Sequence, residues 1–542
     1  MSVRQKKIIR ITAICIVAVL ILLAGTEIWI TRKLETVIEQ TIRKQGGTPR
    51  EIHIGSVSFN PWSRTARLNK IQFQIGFPQK KTDINLKINH IIIEKLRLHG
   101  KNGAEFTTID LDTPILSMTQ HGTESPKDST RSVTKKLIER TPNIGNALAG
   151  SVRITNGSLH IFEEKNGKQT HHAFQNLSFT TGRLDNETFT RNSTAAVHGL
   201  HLSIRQVQYQ FDENALRLEA DTIVLAGDSI HIGALRLLPL YTQEEFAALA
   251  PGHADWIQIT SRDINGYGID PYEWLIHKNF TADSLDIGAA RIESYKNRNI
   301  AQEQRVKPLF FQLLSKISDP VNIRTIGFRD VQAIYSELAP DKNTPGVIAF
   351  DKISGSFRGV TNRPKDSEQN INFEANGLFQ HTVPMRLSIS WPADTTEPHF
   401  VATGELDSMA LSLMNSITEP IADLKIDSGR LQRLTFRIEG DSTEAETELT
   451  MLYDNLQIEL IHRKDGKIRE RKLLSTVLDD FVLIPDNPHL GQTRIGTGTA
   501  LRNPYRSQFN YLWKSIETGI KSTLINRHIK HDKPYRSRHK HF

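Results

Sequence analysis

The sequence predicts a mostly β protein behind a single N-terminal transmembrane helix, and three observations lead to that fold class. One apolar stretch, Ile8 to Ile30, follows a basic leader, and no later segment of the 542-residue chain matches it. Most of the remainder alternates apolar and polar residues with a period of two, which is typical of strands with one buried face. Helical patterns in this remainder are short interruptions. We therefore expect an anchor helix followed by a long, curled antiparallel β-sheet.

The anchor prediction depends on the length of the apolar stretch and on its flanks. At about 1.5 Å per residue, a helix over Ile8–Ile30 spans roughly 34 Å, enough to cross a bilayer. Four basic residues (Arg4, Lys6, Lys7 and Arg10) and no acidic residue lie before or at its start, whereas Arg32 and Lys33 after it are offset by Glu35 and Glu39. The positive-inside rule then predicts a cytoplasmic N-terminus and a body outside the cytoplasm. A cleaved signal peptide is the alternative, but the residues before Gly25 fit a cleavage site poorly.

Composition narrows the class of protein further. Cys15 is the only cysteine and lies inside the predicted span, so the body has no disulfide and no cysteine metal site. The net charge is +8, of which the leader 1–10 carries +4 and the tail 527–542 carries +5, which leaves −1 for everything between. A nearly neutral body argues against nucleic-acid binding, and basic ends are compatible with contact to acidic lipid surfaces.

The pattern along the chain divides it into six predicted segments. They are a leader and anchor helix (1–45), a first β-hairpin region (46–118), a mobile polar loop with a short helix (119–150), a repetitive β body (151–504), a C-terminal amphipathic helix (505–526) and a basic tail (527–542).

Two strands of the β body show the clearest alternation. Val207–Phe211 and Leu216–Ala220 have a period of two and are joined by a turn at Asp212–Asn214. One face of this pair is apolar, and its members are the candidate groove face: Val207, Tyr209, Phe211, Leu216 and Leu218. An apolar sheet face has to be covered, either by a second sheet in a closed sandwich or by an acyl chain in a groove. Periodicity does not distinguish the two.

Five short helices are predicted from start and stop signals. Thr242 and Glu245 have capping-box spacing, and Asp270-Pro271 is an N-cap followed by proline at the first helical position. The other three end before a proline and cover 309–317, 411–417 and 473–481.

A weak repeat also runs through the body. Its copies, each interpreted as strand–turn–strand, are Ile154–Ile161, Ile287–Ile292, Ile326–Val331 and Ile426–Leu431. Ordinary hairpin chemistry explains the same pattern.

The C-terminal helix is predicted to be amphipathic. Its apolar stripe has helical spacing and consists of Phe509, Leu512, Trp513, Ile516, Ile520 and Leu524. Lys514, Glu517 and Lys521 oppose it. This stripe either caps the open end of the last sheet, which we favour, or lies on a membrane beside the basic tail.

The layout as a whole resembles the AsmA-like superfamily of bacterial envelope proteins. Ile52–Phe59 followed by Ala66–Phe73 looks like the first hairpin after that family's anchor, and Ile154–Ile161 is similar to its recurring strand element. Phe509–Ser515 with Gly519–Lys521 looks like the end of its shorter members. The resemblance implies a sheet curled into an apolar groove that shields lipid acyl chains between two membranes. This chain is much shorter than the members that bridge two membranes.

No catalytic constellation is recognisable in the sequence. There is no HExxH motif, no glycine-rich phosphate loop and no Gly-x-Ser-x-Gly elbow. His171-His172 is interpreted as a solvated pair in a polar hairpin turn, and the four histidines of the tail as part of a basic surface. We therefore expect no enzymatic activity, no cofactor and no metal site.

These expectations combine into one hypothesis and one alternative. The hypothesis is a single-pass protein of the bacterial inner membrane with a periplasmic body. Such a protein shields or transfers phospholipid through its acyl chains, or otherwise supports outer-envelope assembly with other envelope proteins. The alternative is a non-enzymatic scaffolding protein of the envelope, with closed β-sandwich packing and protein partners.

Overall fold

The computed structural model describes most of the body of the chain. The described residues are 35–36, 38–40, 42–44, 46–99, 103–121, 150–165, 168–182, 199–211, 215–249, 255–300, 306–363, 370–392, 399–464, 467–473 and 481–527. The predicted anchor Ile8–Ile30, most of the predicted polar loop and the basic tail after Arg527 lie outside them. No helix within the described residues is long and apolar enough to span a membrane.

The chain divides into two compact units. Unit 1 comprises Met1–Leu240 and Arg262–Lys278, and unit 2 comprises Tyr241–Ser261 and Asn279–Phe542. Both are mostly β, as the sequence predicts.

Unit 1 holds twelve whole described strands and one short helix. The strands are β1 (Thr48–Asn60), β2 (Thr65–Phe77), β3 (Thr82–Glu94), β4 (Arg97–His99), β5 (Gly103–Glu105), β6 (Thr108–Asp112), β7 (Ile115–His121), β8 (Ser151–Lys165), β9 (Lys168–Thr180), β10 (His201–Phe211), β11 (Leu216–Ala226) and β12 (Ser229–Pro239). A 3₁₀ turn covers Pro78–Lys80, and the helix is Pro271–His277. One further strand, Asp255–Tyr267, crosses the boundary between the units.

The sheet of unit 1 is mixed, so the prediction of a purely antiparallel sheet is wrong. Antiparallel pairing runs from β1 through β2 to β3, and again from β8 through β9, β10 and β11 to β12. Between these two sets, β6 and β7 both pair antiparallel with β3 and parallel with β8. A parallel pair needs a longer connection than a hairpin, and residues 122–150 separate β7 from β8.

None of the repeated elements is a hairpin, and that prediction is corrected. Ile154–Ile161 lies inside the single strand β8, where Asn156 has a left-handed backbone (φ 54°) and the register to β9 shifts. Asn176 and Gln206 interrupt β9 and β10 in the same way, with φ 50° and 59°. Asparagine adopts this conformation more readily than most residues. The repeat is therefore a β-bulge within a long strand, which re-aims the side chains that follow it.

The core of unit 1 lies over its first strands. Ile38 and Ile42, from the helical residues before β1, are fully buried in a cluster with side chains of β1, β2, β3, β6 and β7. Gly47 makes this packing close, because a Cβ there would lie 2.8 Å from Ile42 Cγ2.

Unit 2 holds the remaining elements. Its strands are β14 (Phe280–Ile287), β15 (Ala290–Asn297), β16 (Val321–Leu338), β17 (Gly346–Thr361), β18 (Asn370–Phe379), β19 (Val383–Pro392), β20 (His399–Leu406), β21 (Met409–Ala410), β22 (Leu424–Asp441), β23 (Glu444–Lys464), β24 (Lys467–Leu473), β25 (Phe481–Leu483), β26 (Ile495–Leu501) and β27 (Ile525–Arg527), β13 being the boundary strand. Its α-helices are Gln243–Leu249, Phe310–Ser315, Asn415–Ala422 and Gln508–Leu524; with Pro271–His277 of unit 1, the five are numbered α1 to α5 in chain order. A 3₁₀ turn, Leu411–Met414, precedes α4.

The sheet of unit 2 repeats the arrangement of unit 1. β14 and β15 both pair parallel with the long strand β16, which also bulges, at Asp330 (φ 54°). Antiparallel pairing then continues from β16 through β17, β18, β19, β20, β22 and β23 to β26. The repeat copy Ile287–Ile292 is the interruption between β14 and β15, which follow one another along β16.

The helix predictions have different outcomes. The caps at Thr242 and Asp270 are confirmed, since Glu245 N donates to Thr242 Oγ1 and Glu273 N donates to Asp270 Oδ1. The helix predicted at 411–417 is confirmed in part: its first four residues form a 3₁₀ turn, and α4 continues past Pro420 to Ala422. A proline removes one intrahelical hydrogen bond, which this short helix tolerates. Of the helix predicted at 473–481, the two end residues belong to strands and the others lie outside the described residues.

Candidate functional site

The sheet of unit 1 carries a continuous apolar face. Directly opposed residues of neighbouring strands lie on the same side of a sheet, so the strand register identifies which side chains form a row. One row crosses nine strands without a polar residue: Ile52, Phe73, Leu86, Leu116, Leu159, Phe174, Val207, Ala220 and Leu235. A second row lies beside it: Ile75, Ile84, Met118, Ile161, His172, Tyr209, Leu218 and Leu237. These two rows are termed the apolar face.

The structure places the five predicted groove residues together. Tyr209 is opposite Leu218, and Phe211 is opposite Leu216, while Val207 is opposite Ala220. Val207 is buried, whereas Tyr209 keeps 36% of its surface exposed. The predicted residues are one end of a larger face whose other members sequence reasoning missed.

Exposure increases along the apolar face. In β2 and β3, Phe73, Leu86 and Ile84 are buried in the cluster that includes Ile38 and Ile42. From β8 onward Tyr209 is exposed and five of the ten members are half-buried, namely Leu159, Phe174, Leu218, Leu235 and Leu237, while the other four are buried. The face is therefore covered at its start and accessible to solvent farther along.

A buried histidine interrupts the apolar face. His172 is 2% exposed, and its ring stacks on the ring of Tyr209 with centroids 4.2 Å apart. The backbone N–H of Gln210 donates to His172 Nδ1 at 3.1 Å, so in the neutral ring the proton lies on Nε2. Nε2 lies 3.9 Å from Glu163 Oε2 and has no hydrogen-bond partner among the described residues.

The interpretation of His171-His172 as a solvated turn is wrong, because both residues lie within β9. His171 is opposite Phe162, with ring centroids 4.5 Å apart, and its Nε2 lies 3.1 Å from His160 Nδ1. Burial lowers the pKa of His171, and the nearby charges of His160 and His172 lower it further. Among the residues that the structure describes, no group of three or more His, Cys, Asp or Glu side chains is placed to hold a metal ion.

Unit 2 contains a cleft of about 550 Å³ that differs in character from the apolar face. Eight of its thirteen lining residues are polar or charged, and all thirteen belong to β17, β18, β19, β20 and β22. They are Gly355, Ser356, Glu374, Ala375, Asn376, Arg386, Leu387, Ser388, Thr403, Gly404, Glu405, Thr435 and Phe436. A polar lining of this kind suits an acyl chain poorly.

The C-terminal helix α5 packs within unit 2 on part of the predicted stripe and, more deeply, on the line of residues beside it. Its buried residues are Tyr511, Ser515, Gly519 and Thr523, spaced four apart. Of the predicted stripe, Trp513, Ile516, Ile520 and Leu524 are partly buried beside them against the core cluster of unit 2, and Leu512 is half-buried. Phe509, at 43% exposure, lies near the rings of Tyr335 and Phe350.

Small residues bring α5 close to the sheet. A Cβ on Gly496 of β26 would lie 2.1 Å from Gly519 O, and a Cβ on Gly519 would lie 2.8 Å from Leu449 Cβ. The buried hydroxyls of Ser515 and Thr523 donate hydrogen bonds to backbone oxygens of α5. Their hydrogen-bonding capacity is therefore used although they face the sheet. Sequence reasoning looked for large apolar residues and missed this small-residue stripe.

Comparisons with known proteins do not assign this chain to a family. A scan against protein-family models found none that matches the chain, and a search of curated proteins found no match.

Proposed function

We propose that the chain is an AsmA-like protein of the bacterial envelope whose apolar face in unit 1 shields or transfers phospholipid by holding its acyl chains. In this proposal residues 1–45 anchor the protein in the inner membrane with the N-terminus in the cytoplasm, and the body lies in the periplasm. No catalysis is involved.

The observation that carries the proposal is the length of the apolar face together with its exposure. Nine strands about 4.8 Å apart extend over roughly 38 Å, more than the hydrocarbon core of a bilayer. Apolar side chains that remain half-exposed over β8 to β12 would gain from contact with a hydrocarbon chain, because each buried CH₂ group contributes about 0.8 kcal/mol.

Photocrosslinking tests the proposal. p-Benzoylphenylalanine replaces Tyr209, whose exposed aromatic ring it resembles, in the full chain expressed in bacteria. Irradiation in cells should attach phospholipid to position 209, and mass spectrometry of the purified protein should detect the adduct. The matched control is position 210, which is adjacent, points to the other side of β10 and is opposite Arg217.

A second variant pair measures cargo directly. Tyr209→Glu places a charge among the acyl chains and should reduce the amount of phospholipid that co-purifies with the protein, because burying a charge in an apolar environment is costly. Gln210→Glu places the charge opposite Arg217 on the other side of β10 and should leave the amount of bound phospholipid unchanged. Equal phospholipid in both variants, with crosslinks from position 209 to a protein, would instead support the scaffolding alternative.

A further inference from the structure

The tip of the first hairpin presents a tryptophan to solvent. Trp62 is 95% exposed, in the turn between β1 and β2, and neighbouring Phe59 is 39% exposed. The turn is ordered, because Asn60 Oδ1 accepts hydrogen bonds from the backbone N–H groups of Trp62 and Ser63 at 2.9 and 3.2 Å. Trp62 is therefore held in a fixed turn with its ring in solvent, and Phe59 is partly exposed at the adjoining end of β1. Trp is enriched where an apolar phase meets water, since its ring is apolar and its N–H can be hydrated.

Basic residues surround this tryptophan. Arg64 lies in the same turn, and its carbonyl accepts a hydrogen bond from Leu96 N at 2.9 Å, which joins this turn to the one that follows β3. Lys95 lies in that second turn, and both cations are exposed. Arg67 and Arg97 are exposed nearby, whereas Glu94 and Glu105 are the acidic residues of the same region, so the charge here is +2. Phe59, Trp62, Arg64 and Lys95 are termed the hairpin tip.

The direction of the helical residues before β1 shows that the N-terminal segment approaches unit 1 from the end where the hairpin tip lies. Ile42 packs beside Gly47 and Phe77, at the start of β1, whereas Glu35 Oε1 accepts a hydrogen bond from Ile54 N, farther along that strand. The helical segment is thus antiparallel to β1, and its N-terminal end is directed towards the hairpin tip. Ile54 is about 20 Å from the end of β1 at Asn60. A chain that enters unit 1 from an N-terminal anchor arrives at this end of the strands.

We propose that the hairpin tip docks on the surface of the anionic bilayer that holds the anchor. Trp62 and Phe59 enter the boundary between headgroups and acyl chains, and Arg64 and Lys95 bind lipid phosphates. Each basic residue near an anionic surface adds to the attraction. The proposal rests on the anchor in the proposed function and adds a second membrane contact that orients unit 1.

Site-specific fluorescence of the full chain in lipid nanodiscs tests this docking. In a Cys15→Ala background, Trp62→Cys carries an environment-sensitive NBD label. In discs of phosphatidylcholine with phosphatidylglycerol, the label should emit at shorter wavelength than in water and should be quenched by spin-labelled lipid. Gln79→Cys is the control, because Gln79 is also exposed but lies at the opposite end of the hairpin. Its label should remain in water.

Two double variants that remove the same charge distinguish docking of the hairpin tip from nonspecific adsorption to the bilayer. Arg64→Gln with Lys95→Gln should abolish most of the spectral shift at position 62, whereas Lys81→Gln with Lys87→Gln, which removes the same charge from exposed positions elsewhere, should preserve it. A label at position 62 that stays in water in anionic discs overturns the docking, and an equal shift in purely zwitterionic discs overturns the role of the cations. Failure of the chain to insert into discs at all overturns the anchor, and docking with it.

Discussion

The apolar sheet faces of the two units differ in what covers them. In unit 2, α5 lies against β23 and β26, and the residues it covers belong to a buried cluster that includes Leu449 and Tyr453. In unit 1, the helical residues before β1 cover the first strands, but Tyr209 and its neighbours on β10 to β12 remain partly exposed. Similar period-two strands thus lead to a closed face in one unit and an open one in the other.

The difference shows that strand pattern alone does not decide whether an apolar face is a core or a binding surface. Closure in unit 2 depends on glycines, because Gly496 and Gly519 let a helix backbone reach the sheet. In unit 1, Gly233 on β12 has only ordinary contacts, the nearest atom to a Cβ there being Thr222 Cβ at 3.8 Å. The close approach of α5 therefore requires a glycine at position 496, whereas no close contact requires one at position 233.

The largest expected effect is on the helix contact of unit 2. Gly496→Val should lower the free energy of unfolding by about 3 kcal/mol, because the added carbons overlap Gly519 O and α5 has to move away. Gly233→Val, a matched change in unit 1, should cost less than about 1 kcal/mol. Urea denaturation followed by tryptophan fluorescence measures both. Equal losses would mean that the two faces are packed alike.

Trp513→Glu comes next in size. Trp513 is partly buried against the cluster of unit 2, so a carboxylate there should cost about 2 kcal/mol of stability. Lys514→Gln, one residue away on the exposed face, is the control and should cost less than about 1 kcal/mol, because it removes only an exposed pair with Glu517. If α5 instead lies on a membrane, Trp513→Glu leaves the melting temperature unchanged and weakens binding to anionic liposomes.

A smaller loss of stability is expected at alkaline pH, because a buried tyrosine of unit 2 resists ionisation. Tyr453 is buried, its hydroxyl donates to Ile484 O at 2.9 Å, and burial raises its pKa to about 12. Since the folded-state pKa lies above the unfolded value of about 10, the stabilisation is complete below pH 10 and is lost as the pH rises towards 12. Urea denaturation at pH 11 and pH 9 should show a loss of stability to which Tyr453 contributes about 1 kcal/mol, beside the contributions of Tyr335 and Tyr511, whose pKa values burial also raises. Tyr453→Phe should reduce this dependence on pH, and an unchanged pH dependence in that variant would contradict the assignment.

The smallest expected effect on stability is on the open face. Tyr209→Ser should change the free energy of unfolding by less than about 1 kcal/mol, because much of the side chain is already exposed. Tyr511→Ser in α5, where the ring is 3% exposed, should cost about 3 kcal/mol. Thermal unfolding of the two variants compares the faces directly. A large loss for Tyr209→Ser would show that its ring is packed in a core.

Much of the local structure follows from the sequence because its causes are local. Alternation at Val207–Phe211 and Leu216–Ala220 predicts two strands, and the register confirms that their apolar residues share one face. The caps at Thr242 and Asp270 depend on side chains three residues away, which a sequence displays directly. The anchor at Ile8–Ile30 and the membrane location remain predictions.

What only the tertiary structure decided depends on contacts between residues far apart in the chain. The parallel pairing of β7 with β8, the burial of His172 beside Tyr209 and the close approach of Gly519 to Gly496 each join segments whose meeting no local pattern encodes. The bulge at Asn156 looked like a turn, because asparagine favours a left-handed backbone in both settings and only the neighbouring strands show which one applies. The sequence thus determined strands with one apolar side, and the fold determined which of those sides a helix covers and which remains open, because covering depends on the shape that distant residues present to one another.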